Sequence, residues 1–340
     1  MSRFELLRET LLGNLSDRIP YSLWKHYPNK DRTPEGLAES EIAFHQEYDH
    51  DIIKISFHGR YPVVDWGCIA IYDGAISGST ICANCVIEQA PGWETLEPLD
   101  VNTGEFGKQL KAVELIHEYT EGKIPTMATV FDATMVASKL CEGKVTDYIN
   151  SNPDIMKSVL QMINKVMIDF GKAALDAGAD GIFLASQHST HSSISDEQYR
   201  NFVLPFNAEL IRQLRGKARF TIMHLHARDP GEEIRFEEIA RTPGLDAINW
   251  EDQSAKLNLS EGKVLSGKTV VGGIDHNGIF RSGTPDQAKQ QVLDAAAEAG
   301  LAKLIVAPGC VITVDTPREN IRAVADAVSA IDPFFFGEDE

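Results

Sequence analysis

The chain has 340 residues, 43% hydrophobic and 24% charged, the balance of an ordinary globular fold. Its 50 acids outweigh 32 Lys plus Arg to give a formal charge of −18, which argues against nucleic acid or an anionic lipid surface as partner. No apolar run approaches the ~18 residues of a membrane span. The opening MSRFELLRETLLGN mixes acids and bases like an amphipathic helix and lacks the apolar core of a signal peptide, so a cytoplasmic protein is expected. The 5 cysteines, an odd number, do not form a disulfide framework. Cys82-Ala83-Asn84-Cys85 reads as two ordinary thiols in a loop.

In chain order, β-rich runs fall at residues 19–25, 51–57, 126–131, 181–186, 220–226, 247–251, 269–275 and 304–310. Eight such runs are what a closed parallel barrel needs, and their continuous apolar character suits strands covered by helices. Residues 58–98 break the rhythm after the second run. They carry Tyr61, Trp66, Tyr72 and Trp93, are too long for an ordinary connection, and are expected to form a lid over the barrel mouth. Tyr61 or Trp66 would then stand in an apolar substrate wall. Helices are expected over 152–177, 196–214, 284–299 and 316–331. Asn152, Thr284 and Thr316 are the N-caps, each followed by Pro at the first helical position. The fold class is α/β, a single (β/α)8 TIM barrel over residues 1–340.

Active sites of such barrels lie at the C-terminal strand ends. Lys25 and His26 follow the first run, Ser56 and His58 the second, Asp132 the third, and Gln187 and His188 the fourth. His224 and His226, Glu251, Asp275 and Cys310 end the remaining four. Residues two apart on a strand point to one side, so His224 and His226 present both imidazoles together. Cys310 opens at the same rim, completing a three-ligand zinc site with an open position. The competing reading makes one histidine a core residue and the other a hydrogen-bonding pocket residue. Glu251 and Asp275 are the catalytic candidates, as fourth ligand or proton carrier. Against this, Glu251 has Lys25 as a possible ion-pair partner and Asp275 has the next helical turn to cap. Lys25, His26, Gln187 and His188 are substrate-binding candidates, and His45, His50 and His117 read as surface or packing residues.

The stretches Asp246-Ala247-Ile248-Asn249-Trp250, Gly272-Gly273-Ile274-Asp275, Gly283-Thr284-Pro285, Ala307-Pro308-Gly309-Cys310 and Thr316-Pro317-Arg318-Glu319-Asn320 resemble the uroporphyrinogen decarboxylase superfamily. Ala177-Gly178-Ala179-Asp180, Phe202-Val203-Leu204-Pro205-Phe206 and Asp17-Arg18-Ile19-Pro20 extend the resemblance over nearly the whole chain. It implies a single barrel, and either metal-free decarboxylation or zinc-dependent methyl transfer serving corrinoid proteins or thiols. The decarboxylases hold substrate carboxylates with an arginine-rich segment after the first strand. Here that place reads Leu23-Trp24-Lys25-His26-Tyr27-Pro28, without the guanidinium forks a polycarboxylate needs. The decarboxylases also show a histidine near the position of Cys310. The methyltransferases carry His-x-Cys and a later cysteine after Pro-Gly; this chain keeps His224 and Cys310 and has His226 in place of the middle cysteine.

The resemblance therefore implies a methyltransferase or demethylase of the corrinoid-linked type, with zinc on His224, His226 and Cys310 and the corrinoid on a partner protein. The alternative is a metal-independent lyase holding a carboxylate with Lys25, His26 and Arg60. Metal-assisted hydrolysis or a non-catalytic binding barrel are the lesser readings.

Overall fold

The computed structural model describes residues 1–227 and 229–331. Its strands are β1 (Ile53–Ile55), β2 (Ile69–Ile71), β3 (Ile81–Asn84), β4 (Thr126–Phe131), β5 (Gly181–Ser186), β6 (Phe220–Leu225), β7 (Ala247–Trp250), β8 (Thr269–Ile274) and β9 (Leu304–Pro308). Seven form one curled sheet in the order β1-β4-β5-β6-β7-β8-β9, and every pairing in it is parallel. Each of these strands is buried along its whole length, as expected where side chains fill the interior on one face and meet helices on the other. The remaining pair, β2 and β3, is an antiparallel hairpin within residues 58–98.

The first expected strand, residues 19–25, is not a regular one. The segment runs between β9 and β1 and touches them through single bridges: Val306 N–H donates to Pro20 O, Ser22 N–H to Val306 O, and Asp51 N–H to Tyr21 O. Pro20 has no N–H, and the Tyr21 N–H is held by the Asp51 carboxylate at 3.1 Å, so a continuous ladder cannot form there. The eighth stave is thus present as buried chain, with Leu23 and Trp24 inside, while the TIM-barrel-like ring is not fully closed by backbone pairing.

Two helices depart from expectation in a traceable way. Residues 196–214 form two helices, Asp196–Phe202 and Leu204–Leu214, because Pro205 cannot continue the first and instead opens the second. The last helix, Arg318–Ala330, starts after Thr316, whose hydroxyl meets Thr313 Oγ1 at 2.8 Å instead of capping. Asn152 makes no side-chain cap either, whereas Thr284 closes a capping box with Gln287. His45 and His50 are both buried. Among the described residues no helix is long and apolar enough to cross a membrane.

Candidate active site

Strands β6, β7 and β9 deliver their C-terminal residues to one point of the mouth. One ligand atom each from His224, His226, Glu251 and Cys310 lies within 4.8 Å of the others. His226 Nδ1 is 2.5 Å from Glu251 Oε1 and 3.9 Å from Cys310 Sγ. The second oxygen of Glu251 accepts from Ala227 N–H at 2.6 Å, which fixes the carboxylate. His226 and Cys310 are partly exposed, and His224 and Glu251 are buried.

The orientation of His224 follows from its neighbour Asn249, which is fully buried. Both amide hydrogens of Asn249 are occupied, donating to Val271 O at 2.7 Å and Pro308 O at 3.2 Å. The atom facing His224 Nδ1 at 2.6 Å is therefore the carbonyl Oδ1, so Nδ1 carries the proton and the lone pair sits on Nε2. A carbonyl that fixes the tautomer and aim of an imidazole is the usual outer partner of a metal-binding histidine. His224 also stacks on Phe183, centroids 5.6 Å apart.

Electrostatics act in the same direction. Burial alone would raise the Cys310 thiol, but hydrogen bonds and charge from His224 and His226 outweigh it and hold it well below its ordinary value. Burial works against a protonated His226, yet the Glu251 charge and the hydrogen bonds to Cys310 and Glu251 override it and raise the imidazole to about 10. His226 and Cys310 are thus each shifted toward the charged form, in part by the other. Two nitrogens, one sulfur and one oxygen converging in this way fit a tetrahedral zinc donor set.

Two cavities meet at His226. The inner one, about 210 Å³, is walled by Trp24, Phe57, Phe131 and Phe183 and carries His26, Lys54, Lys139 and Gln187. The outer one, about 540 Å³, includes Glu251, Asp275, His276 and Arg281 beside Ile76 and Ile274. Ser77 and Ser79, in the turn between β2 and β3, line the inner cavity. Gly78 packs so closely there that a Cβ would stand 2.9 Å from both His26 Cβ and Val314 Cγ1.

Of the sequence candidates, His26 and Gln187 line the inner cavity and Lys25, Tyr61, Trp66 and His188 do not. Tyr61 is core: its hydroxyl donates to Thr129 O, and its ring packs on Phe57, Phe106, Phe131 and Phe170. Trp66 turns its Nε1 to Glu97 O. Lys25 is drawn below the usual lysine range by burial, opposed by the charges of Glu47 and Asp315, and among the described residues Glu251 pairs with His226 and not, as the alternative reading had it, with Lys25. His188 is buried. Asp275 reaches the outer cavity, but its carboxylate accepts from the amides of Asn277, Gly278 and Ile279, capping the turn Ile279–Ser282.

Sequence reasoning missed Lys54, Lys139 and Asn249. Lys54 is buried inside the sheet, its Nζ 3.3 Å from Ser56 Oγ. Burial draws it below the ordinary lysine range, and the opposing charge of Glu41 limits the fall. Its signal was the alternation of Ile53 and Ile55 with Lys54 and Ser56. Asn249 stands two residues before Glu251 on one strand, so it shares the face of a residue already singled out.

Residues 23–331 match the family model described as uroporphyrinogen decarboxylase (URO-D). The chain belongs to the uroporphyrinogen decarboxylase family. Within that family it is similar to the methylcobamide:CoM methyltransferase MtbA of Methanosarcina mazei, at 22% identity over 88% of this chain and 86% of that protein. A uroporphyrinogen decarboxylase of Crocosphaera subtropica is 26% identical over 54% of this chain and 49% of that protein. The methyltransferase similarity thus runs further along the barrel than the decarboxylase similarity, placing the chain nearer that branch. A solved methyltransferase from Methanosarcina mazei shares the fold with a TM-score of 0.84, at 19% identity over 97% of this chain and 98% of that one. The relatives of this URO-D family member are catalysts, and the chain is an enzyme.

Proposed function

We propose that the chain is a zinc-dependent methyltransferase of the corrinoid-linked kind, moving a methyl group between a small molecule in the inner cavity and a corrinoid held by a partner protein. The observation that carries this reading is the convergence of His224, His226, Cys310 and Glu251 beside that cavity, with Asn249 fixing the His224 tautomer. Bound zinc would supply Lewis acidity, making a substrate thiol acidic at neutral pH or polarising an ether oxygen that gives up its methyl group. His224 Nε2, His226 Nδ1 and Cys310 Sγ are the donors, and Glu251 is the fourth ligand or, displaced, the proton acceptor. Asp275 is left with its capping role. Gln187 and His26 contact the substrate, and residues 58–98 serve as the lid, their turn at 77–79 closing the inner cavity. The similarity to MtbA over most of both chains supports the methyl-transfer chemistry.

Elemental analysis of purified protein is the test, together with methyl transfer from methylcobalamin to a small thiol followed by the corrinoid spectrum. Wild type is expected to hold about one zinc per chain at this site. Cys310→Ser is expected to lose that zinc and transfer together while its circular dichroism stays close to wild type, because the barrel core does not depend on the ion; its melting should fall toward that of metal-free wild type. Metal-free wild type that is fully folded would sink the proposal and leave the lyase reading in its place.

A further inference from the structure

Cys310 sits at the barrel mouth, and three of the other cysteines meet in residues 58–98. The hairpin of β2 and β3 brings them together through its register. Ile69 pairs with Asn84 and Ala70 with Cys82, which leaves Ala83 as an extra residue, a bulge. Without it, alternation would put Cys82 and Cys85 on opposite faces. With it, Cys82 lies on the face of Ala70, and Cys85 returns to that same face, opposite Cys68. Exposure follows the pattern: Ile69, Ile71 and Ile81 point outward at 56%, 42% and 38%, whereas Cys68 is buried and Cys82 and Cys85 are partly covered. The Cys82 sulfur is in hydrogen-bond contact with those of both Cys68 and Cys85. A C-x-x-C spacing that reads in the sequence as two ordinary thiols thus acquires a third sulfur from the neighbouring strand.

Arg60 gives the cluster its electrical character. Its Nε is screened from water without a hydrogen-bond partner, and among the described residues no carboxylate pairs with the guanidinium. Burial pulls Arg60 below its ordinary value, and the charges that would support it are those of Cys82, Cys85 and Cys68. Neutral thiols cannot supply such charge. Burial holds all three above the usual thiol range, Cys85 at about 11, so without a metal they stay protonated. In that state Cys82 donates to Asn84 O at 2.9 Å and Cys85 to Lys139 O at 3.7 Å. A half-buried guanidinium among neutral groups is costly. Three thiolates on a divalent cation carry one net negative charge, which cancels it. A disulfide would remove two of the sulfurs as charge carriers and leave Arg60 as it stands. Backbone donors for thiolates are also in place, with Val86 N–H directed at Cys68 and Glu142 N–H at Cys85.

The hairpin also lacks other support. Its strands span 3 and 4 residues, two short strands alone are marginal in water, and its outward isoleucines bury little. We propose that Cys68, Cys82 and Cys85 form a second metal site, for a thiophilic divalent cation of the zinc class, with Arg60 balancing its charge and the ion fastening β2 to β3. Binding exchanges three S–H protons for three metal–sulfur bonds without change of oxidation state, draws the outer two sulfurs toward Cys82, and leaves the fourth position to water. The site is separate from the barrel mouth, so its ion adds to the one proposed there.

Full-length Cys310→Ser protein isolates the hairpin, because its mouth has lost a ligand. Stripped with a chelator and dialysed against zinc, it is expected to retain about one equivalent and to shield three thiols from maleimide that the stripped sample exposes. Adding Cys82→Ser is expected to abolish that retention, with Cys85→Ser standing in if the first does not fold. Arg60→Met should weaken zinc about tenfold to a hundredfold, and limited proteolysis should cut residues 69–84 faster in stripped protein. Cys310→Ser protein that keeps no zinc, or keeps as much after either hairpin substitution, overturns the site. Zinc bound as tightly by Arg60→Met overturns the charge balance. A folded chain lighter by two hydrogens, restored by a thiol reductant, would show the sulfurs paired as a disulfide and overturn it as well. Zinc lost through Cys82→Ser but not through Cys310→Ser would remove the zinc of the mouth and leave this site standing, and the reverse would remove this site alone.

Discussion

Replacing Asn249 by Asp tests the hydrogen-bond assignment on which the His224 tautomer depends. The substitution keeps the shape and still offers an oxygen to His224 Nδ1–H at 2.6 Å. It deletes two donors and sets an oxygen against Val271 O and Pro308 O, at the positions now 2.7 and 3.2 Å away. Each lost bond to a buried carbonyl costs about 1–3 kcal/mol, so the variant should be about 2–6 kcal/mol less stable at neutral pH. Protonating the new carboxyl restores one donor, which raises its pKa in the folded state. A group whose folded pKa is raised contributes stability below its unfolded value, ~3.9, and that contribution is lost as pH rises through the folded value. Urea unfolding should therefore show a gap from wild type that widens from pH 5 to pH 8. Zinc content should hold, since the carboxylate still orients the imidazole. A variant within about 0.5 kcal/mol of wild type, or a gap that ignores pH, would show that the Asn249 amide is not oriented as described.

In metal-free protein, Glu251→Gln should cost about 1.5–3 kcal/mol by replacing a charged partner of His226 with a neutral one. Because His226 is raised to about 10, that stability is complete below about 6.5 and disappears as pH climbs through 10, so melting curves of variant and wild type should converge on the alkaline side. His50 has the opposite sign. Burial, reinforced by His45, depresses it well below 6.5, so wild type loses stability as pH falls below that value. His50→Leu should flatten this acid limb, and an unchanged slope between pH 7 and 5 would rule the histidine out as its source. Gly78, at φ +72°, should tolerate alanine poorly, losing about 1–2 kcal/mol from the left-handed backbone and weakening ligand binding by displacing the turn against His26. A Gly78→Ala protein with wild-type melting and ligand affinity would detach that turn from the cavity.

The sequence revealed the parts of the barrel in which one physical demand acts alone. Strands β4 and β5 coincide with their apolar runs, and β6 to β9 stop one or two residues short, where the polar site residues begin. Burial on both faces leaves little choice of residue, so such strands are legible. The convergence of His224, His226 and Cys310 was likewise readable, since alternation along a strand and the common rim of a barrel determine it. Residues 19–25 were not, because the Asp51 carboxylate that captures the Tyr21 N–H comes from elsewhere in the chain. Tyr61 shows a different limit: an aromatic ring in a long loop has the same composition whether it faces a ligand or the core. Lys54 lies midway along a buried strand and not at the strand ends where barrel sites gather, yet a lysine so placed is the costlier and more telling placement.

Phe183 holds His224 stacked on its ring and Lys54 Nζ 4.8 Å from the same centroid. One phenyl group is thus a party wall between His224 on one side and the buried Lys54 ammonium on the other. A change of residue there cannot retune what the cavity accepts without also moving an imidazole aimed at the ion. Drift in substrate preference is therefore channelled to cavity walls that are not stacked on a metal-site imidazole, such as Phe57 and Met135, while position 183 answers to both sides at once.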